Sequence, residues 1–248
     1  MSALTLFISD LHIDQNRPDI TRAFLHFLDL HASQAQSLYI LGDFFDTWIG
    51  DDYISHGPKD DAVEDILKGL KQCTDKGLKL YIMHGNRDFL LADEFMLRCG
   101  AELLSDPCII QLGNTPTLLM HGDSLCTQDT EYMKFRTMSR SAEWIQSQLS
   151  RPIVERIAFA KHLRKTSMEK TRQTAEEILD VSGDEVVKVM SEHQVTQMIH
   201  GHTHRPKVHD ILIGSELKKR YVLGDWEEQG WYISHQNDAI MLQPFAFA

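Results

Sequence analysis

A mixed α/β fold is what this sequence predicts: two sheets packed as a sandwich, flanked by helices, with one helical insertion. Three observations carry the prediction. Short apolar runs alternate with amphipathic stretches through the first half of the chain, as in β-α-β units. Residues 127–182 then show helical spacing without a strand pattern. The tail after residue 205 alternates apolar and polar positions between turns.

In chain order, residues 4–8 form the first strand-like run. Pro18 opens a helix-like stretch with Phe24, Leu25, Leu28 and Leu30 in register, and residues 38–41 follow as a buried strand. Residues 60–76 read as an amphipathic helix with Val63, Ile66, Leu67 and Leu70 inward and Gly77 ending it. A strand at 78–83 precedes a short helix over 89–99 closed by Gly100. Strands at 108–112 and 117–120 are joined by the turn Gly113-Asn114-Thr115-Pro116. Helical spacing in the insertion breaks at Ser150-Arg151-Pro152. A helix over 183–193 then leads to a strand at 197–199, and runs at 206–213, 219–223, 230–234 and 239–245 read as a β-meander. Residues 1–248 are expected to form one domain, with 127–182 as a helical cap inserted within it.

Charge separates the insertion from its surroundings. Residues 127–174 hold ten basic and five acidic side chains, +5 inside a chain of net charge −11, so the remainder carries −16. Such a segment is either a cap facing an anionic ligand or a solvated helical pair. The net charge argues against a general nucleic-acid binder, which needs a basic surface. A hydrophobic share of 42% and a charged share of 25% describe an ordinary globular chain. Cys73, Cys99, Cys108 and Cys126 form no C-x-x-C pair, which points to a reduced cytoplasm. The N-terminus has no basic and apolar leader pattern, so no signal peptide is expected.

The chemistry is concentrated where strands end. Gly42-Asp43 closes one apolar run, and a single Asp there is ordinarily a turn residue or helix cap. Four more junctions of the same kind change that reading: Ser9-Asp10-Leu11-His12, His84-Gly85-Asn86-Arg87-Asp88, Met120-His121-Gly122-Asp123 and His200-Gly201-His202-Thr203-His204. Residues at the ends of successive strands converge on one sheet edge, where open α/β folds place their sites. Carboxylate, imidazole and amide oxygen together suit borderline-hard divalent ions.

These five motifs, in this order, resemble the calcineurin-like metallophosphoesterases. The resemblance implies the two-sheet metallophosphoesterase sandwich and two metal ions. One would be held by Asp10, His12, Asp43 and His204, the other by Asp43, Asn86, His121 and His202, with Asp43 bridging. Two such ions, about 3.5–4 Å apart, polarise a phosphoryl oxygen and activate water. Asn86 adds a ligand oxygen without adding negative charge. Arg87 is either a bidentate phosphate contact or an ion-pair partner of Asp88. The catalytic candidates are Asp43, Asn86, Arg87 and His121. His84 and His200 read as supporting histidines outside the ligand set. Asp123 either orients His121 through its second nitrogen or caps the next helix.

Longer stretches narrow the resemblance. Asp43-Phe44-Phe45-Asp46-Thr47-Trp48-Ile49-Gly50-Asp51-Asp52, Gly85-Asn86-Arg87-Asp88-Phe89-Leu90, Met120-His121-Gly122-Asp123-Ser124-Leu125-Cys126, His200-Gly201-His202-Thr203-His204-Arg205-Pro206 and Val222-Leu223-Gly224-Asp225-Trp226 are similar to those of the UDP-2,3-diacylglucosamine diphosphatase family. That family acts in lipid A synthesis. It implies hydrolysis of UDP-2,3-diacylglucosamine to 2,3-diacylglucosamine 1-phosphate and UMP, with water adding to the phosphorus nearer uridine. It also implies two Mn2+ ions and a peripheral position on the cytoplasmic face of the inner membrane. The expected partners are therefore a UDP-diacylglucosamine lipid and a membrane surface, with no nucleic acid and a monomeric chain.

The substrate contacts implied are Asn86, Arg87, Asp129, Arg164, Ser167, Thr171, Thr174 and His202. Arg164, Ser167, Thr171 and Thr174 are spaced to share one helix face, although the family typically has Asn and Lys at the last two. Phe135, Trp144, Ile145, Leu149, Val154 and Phe159 either enclose acyl chains or pack helices together. Two other readings stand beside this one: a soluble nucleotide pyrophosphatase or phosphodiesterase using the same metals, and a non-catalytic scaffold.

Overall fold

Alternation along the first strand sets the layering. In β1 (Thr5–Ile8), Leu6 and Ile8 join a cluster with helical residues, whereas Phe7 joins a second cluster on the opposite face. All three are buried, so the strand is covered on both sides. The same division holds in β2 (Ser37–Leu41) and β3 (Lys79–Met83): Leu38, Ile40, Leu80 and Ile82 face helices, Leu41 and Met83 the other sheet.

The computed structural model describes residues 3–173 and 180–247. Its further strands are β4 (Ala101–Leu104), β5 (Cys108–Leu112), β6 (Thr115–Leu119), β7 (Gln197–His200), β8 (Lys207–Ile213), β9 (Glu216–Val222), β10 (Gly230–Gln236) and β11 (Ala239–Phe245). The helices are α1 (Pro18–Leu30), α2 (Tyr53–His56), α3 (Asp61–Asp75), α4 (Asp93–Cys99), α5 (Thr130–Ser139), α6 (Ala142–Leu149), α7 (Ile153–Gln173) and α8 (Gly183–Glu192).

One sheet has the order β11-β10-β1-β2-β3-β4, the other β5-β6-β7-β9-β8. The pairs β1/β2, β2/β3 and β3/β4 are parallel in the first, as are β6/β7 and β7/β9 in the second. Phe24 and Phe27 of α1, Ile66 and Leu70 of α3 and Phe95 of α4 pack on the first sheet, and Val186 and Met190 of α8 on the second. The result is four layers, helix–sheet–sheet–helix. Truncating one of the wholly buried residues, such as Ile66→Ala, belongs to the class of change that costs about 2–5 kcal/mol.

Several expected boundaries move. Leu30 is 46% exposed; the buried face of α1 is Ile20, Ala23, Phe24, Phe27 and Leu28. The helix expected from residue 89 begins at Asp93, because Asp51 accepts from Phe95 N (2.7 Å) and Ala92 N (3.1 Å) and so caps it from a distant loop. Strand β4 and helix α2 were not foreseen. The hairpin turn shortens to Gly113-Asn114, and Pro116 lies inside β6, where pairing with β7 begins only at Thr117. Within the insertion a second break falls at Arg140-Ser141, where Ser141 Oγ accepts from Trp144 N. The tail is not one meander: β8/β9 is a hairpin in the second sheet, and β10/β11 is a hairpin in the first.

Candidate active site

Parallel strands lift their carboxyl ends to a common edge, and every expected ligand lies on the loops there. Asp10 and His12 follow β1, Asp43 follows β2, and Asn86 and Arg87 follow β3. From the other sheet, His121 follows β6, and His202 and His204 follow β7. The loops are tied to one another through the main chain: Asp10 N donates to Gly42 O (3.1 Å), His12 N to Asp43 O (3.0 Å) and Gly201 N to His121 O (2.9 Å). Asp10, His12, Asp43, His202 and His204 all have φ between 49° and 68°, a region sparsely used by residues other than glycine. Such backbone persists only where the surroundings over-determine it, and it clusters at functional sites. Glycine permits the close approach. A Cβ on Gly42 would lie 2.6 Å from the Gly85 backbone and 2.7 Å from His121 Nδ1.

The side chains meet in two groups. Ligand atoms of Asp10, His12 and His204 lie within 4.8 Å of one another, as do those of Asp10, Asp43 and His121. His12 Nε2 is 3.1 Å from His204 Nε2. Asn86 Oδ1 is 2.9 Å from His121 Nε2 and 2.8 Å from His202 Nδ1. The second ring nitrogens are held elsewhere: His121 Nδ1 donates to Leu41 O (2.9 Å), and His204 Nδ1 is 3.2 Å from Asp225. Asp123 therefore does not orient His121. It lies under α5 instead, bonded to the Tyr132 hydroxyl and to Arg136 Nε (2.8 Å).

Whether these donors fit a cation can be tested on their own bonding. Asp10 Oδ1, 3.4 Å from His204 Nε2, and His12 Nδ1 are both buried without a hydrogen bond, which leaves them open to a cation. Burial pushes the Asp43 carboxyl up to about 7, opposed by His121 and Arg87. His121 and His204 rise to about 9 and about 10: burial opposes their charge, but Asp43 and Asp10 around the first, and Asp10 and Asp225 around the second, outweigh it. Burial, with His121 nearby, takes His202 down to about 4. The surrounding acids thus favour positive charge at His121 and His204, burial keeps His12 and His202 neutral, and the O and N donors together fit divalent cations.

Helices α5–α7 lie beside this edge and use their basic residues to hold acids of the body. Arg136 contacts Asp123 and Asp106, and Arg140 Nη2 donates to Gly85 O (2.7 Å). Arg156, only 4% exposed, donates to Ile49 O and to both carboxylate oxygens of Asp52. Arg164 reaches Asp46 (2.9 Å). Part of the +5 segment is thus spent on docking to an acidic body. Asp52 is 45% exposed and can rehydrate, so Arg156→Ala loses mainly the bond to the buried Ile49 carbonyl. We expect about 1–3 kcal/mol of destabilisation, read as a lower denaturant midpoint at unchanged slope.

Two cavities open between α7 and the body. One, about 390 Å³, is lined by Trp48, Phe89, Leu90, Phe135, Trp144 and Phe159 and also reached by Asn86, Arg87, Asp129, Arg164 and Ser167. The other, about 500 Å³, shares Asp46, Thr47, Trp48, Ile49, Ala160 and Arg164 with it. Trp144 rings contact Phe89, Phe135 and Phe159, so these aromatic residues pack together and face the first cavity at once. Val154 is 76% exposed and Leu149 40%. Thr171 falls within α7, but its side chain and the whole of Thr174 lie outside the described residues.

Arg87 does not pair with Asp88. It bonds Asp46 (2.7 Å) and approaches Asp43 (3.4 Å). Asp88 is fully buried and accepts from Phe44 N and Gly85 N, joining the two central loops. His84 donates to Leu91 O, and His200 sits between Gly201 O and Arg220, so both are supporting residues. Sequence reasoning missed the roles of Asp46, Asp51, Asp88 and Asp225. All four lie inside the quoted motifs, but only their partners distinguish them from turn residues.

Residues 4–206 match the model of the calcineurin-like phosphoesterases, the class that this fold and this site define. The chain is 48% identical over 245 residues to the UDP-2,3-diacylglucosamine hydrolases of Chromohalobacter salexigens and of Marinobacter nauticus, with 98% of each chain covered. With that of Stutzerimonas stutzeri the identity is 44%, over 99% of this chain and 100% of the relative. The chain belongs to the UDP-2,3-diacylglucosamine hydrolase family.

Proposed function

We propose that the protein hydrolyses UDP-2,3-diacylglucosamine to 2,3-diacylglucosamine 1-phosphate and UMP, a step of lipid A synthesis. The observation that carries this reading is the convergence of Asp10, His12, Asp43, Asn86, His121, His202 and His204 on one edge, beside an apolar cavity, in a chain whose relatives of that name match it end to end. Two Mn2+ ions are the proposed cofactors: Asp10, His12, Asp43 and His204 would hold one, and Asp43, Asn86, His121 and His202 the other. When bound, such ions supply Lewis-acid polarisation of the phosphoryl group and activation of water.

The chain's own residues do the positioning. Arg87 presents a guanidinium beside Asn86, suited to a phosphate oxygen. Leu41 O fixes the His121 ring through Nδ1 and turns Nε2 to the site, and Asp225 does the corresponding work for His204. Helices α5–α7, within a 127–182 insertion, form the cap. Asp129, Arg164 and Ser167 face the head group there, and the aromatic lining of the first cavity encloses acyl carbon. No helix among the described residues is long and apolar enough to cross a membrane. The lipid substrate would instead be met at the cytoplasmic face of the inner membrane by a monomeric, peripherally bound enzyme.

Turnover in ¹⁸O-water tests the reaction. The anhydride P–O bond breaks, its bridging oxygen stays with the sugar phosphate, and the label enters UMP. Label in 2,3-diacylglucosamine 1-phosphate would reverse the substrate in the site. Equal rates on UDP-sugars without acyl chains would favour a soluble nucleotide pyrophosphatase.

A further inference from the structure

Asp46 belongs to no expected ligand set, yet both arginines assigned to the substrate end on it. Its Oδ1 accepts from Arg87 Nη1 (2.7 Å) and lies 2.9 Å from Arg164 Nη2, and its Oδ2 accepts from Arg164 Nε (3.1 Å). Arg87 comes from the β3 loop and Arg164 from α7. The carboxylate therefore joins the reaction edge to the proposed cap through one side chain. Its own backbone is fixed from the ligand loops, since Asp46 N donates to Ile13 O (3.0 Å), next to His12. Asp46 also lines both cavities, at the wall where they adjoin.

We propose that Asp46 is a positioning residue, which fixes the directions of Arg87 and Arg164 before an anionic substrate arrives and couples cap placement to the reaction edge. The proposal rests on the reading above, in which these two arginines meet the diphosphate substrate. Three of the roughly four lone-pair directions of a carboxylate are taken by guanidinium nitrogens, and His12 Nδ1 stands farther off, 3.9 Å from Oδ1, so the close contacts of Asp46 are to the arginines. Its charge has two opposed consequences. It weakens the attraction of the pair for an anion, because two guanidiniums and one carboxylate sum to +1 rather than +2. It also keeps two long, flexible side chains in one orientation, and orientation is what a reacting group requires. A residue present only for binding would not reduce the charge that binds.

This opposition gives the test a sign. Asp46→Asn should lower kcat by at least about tenfold while KM stays level or falls, because charge is gained as orientation is lost. Asp46→Glu, which keeps the charge, should recover part of kcat. In an Arg87→Ala background the effect of Asp46→Asn should shrink to about two- to threefold, since the residue acts through the arginine. Each variant is assayed on UDP-2,3-diacylglucosamine and on bis(4-nitrophenyl) phosphate, a diester too short to reach α7, with thermal melting alongside.

An unchanged kcat for Asp46→Asn overturns the proposal. So does a full additive loss in the Arg87→Ala background, which would mean that Asp46 acts independently of that arginine, or a loss of rate that tracks a fall in melting temperature, which would make Asp46 a fold residue. A wild-type enzyme active on the small diester but inactive on the lipid nucleotide would refute the proposed substrate. The Asp46 comparison would still be read on the diester.

Discussion

Replacing Asp43 by Asn should lower turnover by at least about 100-fold while leaving the chain folded. The size follows from removing a charge that stabilises a reaction centre, a change commonly worth that factor or more. The fold should survive because Asn tolerates the φ of 49° at this position as well as Asp does. Its amide oxygen can also keep the bond from Arg87 N, now 2.9 Å to Asp43 Oδ1. Stability supplies a second readout. A carboxyl pushed up to about 7 by burial favours folding in its protonated form, so its contribution is complete below the unfolded value and lost as pH rises through 7. Chelator-treated Asp43→Asn should therefore melt no lower than chelator-treated wild type at pH 8. In the wild type, chelation should abolish turnover and Mn2+ should restore it better than Ca2+, which prefers more oxygen ligands. Wild-type rates in the Asn variant would remove Asp43 from the centre of the site.

The second large effect should come from a residue with no proposed part in the chemistry. Asp88→Ala leaves the buried N–H groups of Phe44 (2.7 Å) and Gly85 (2.8 Å) without their acceptor. Each stranded group costs about 1–3 kcal/mol, and bonds to a charged acceptor stand at the upper end. The sum, about 3–6 kcal/mol, is a large share of a typical domain's 5–15 kcal/mol. Phe44 adjoins Asp43 and Gly85 adjoins Asn86, so activity should fall with stability. Chemical denaturation with turnover measured on the same samples checks both. A soluble variant with wild-type stability would mean that water or a shifted loop satisfies these groups.

The contrast between Asp43 and Asp88 marks how far the sequence could be read. Both follow a glycine-containing strand end in a motif dense with acids. Asp43 stood out because four other strand ends carry metal-type side chains, a pattern that needs no coordinates. Asp88 was readable only as a possible partner of its neighbour Arg87. In fact its oxygens turn inward to two loop amides, and Arg87 turns to Asp46. Sequence adjacency is a poor guide to pairing in a loop, where successive side chains diverge. The same limit explains Asp123, whose carboxylate serves Tyr132 and Arg136 of α5 rather than the imidazole two residues before it.

The sequence by itself determined the α/β class, the apolar faces of the main helices and the set of chemically competent residues at strand ends. Those features are local: a period of two or 3.6 in apolar positions, and a polar residue where an apolar run stops. Only the tertiary structure decided that β8/β9 and β10/β11 belong to different sheets, because a strand's alternation says which face is buried but not which neighbour it joins. It also decided where the positive charges of α5–α7 go. A count of +5 cannot tell an arginine that faces a ligand from one that holds the body, and Arg136, Arg140, Arg156 and Arg164 all end on acids or carbonyls of the strand-end loops. Charge is a property of composition, but pairing depends on distances of a few ångströms between segments as far apart as Asp46 and Arg164, and those distances exist only once the chain has folded.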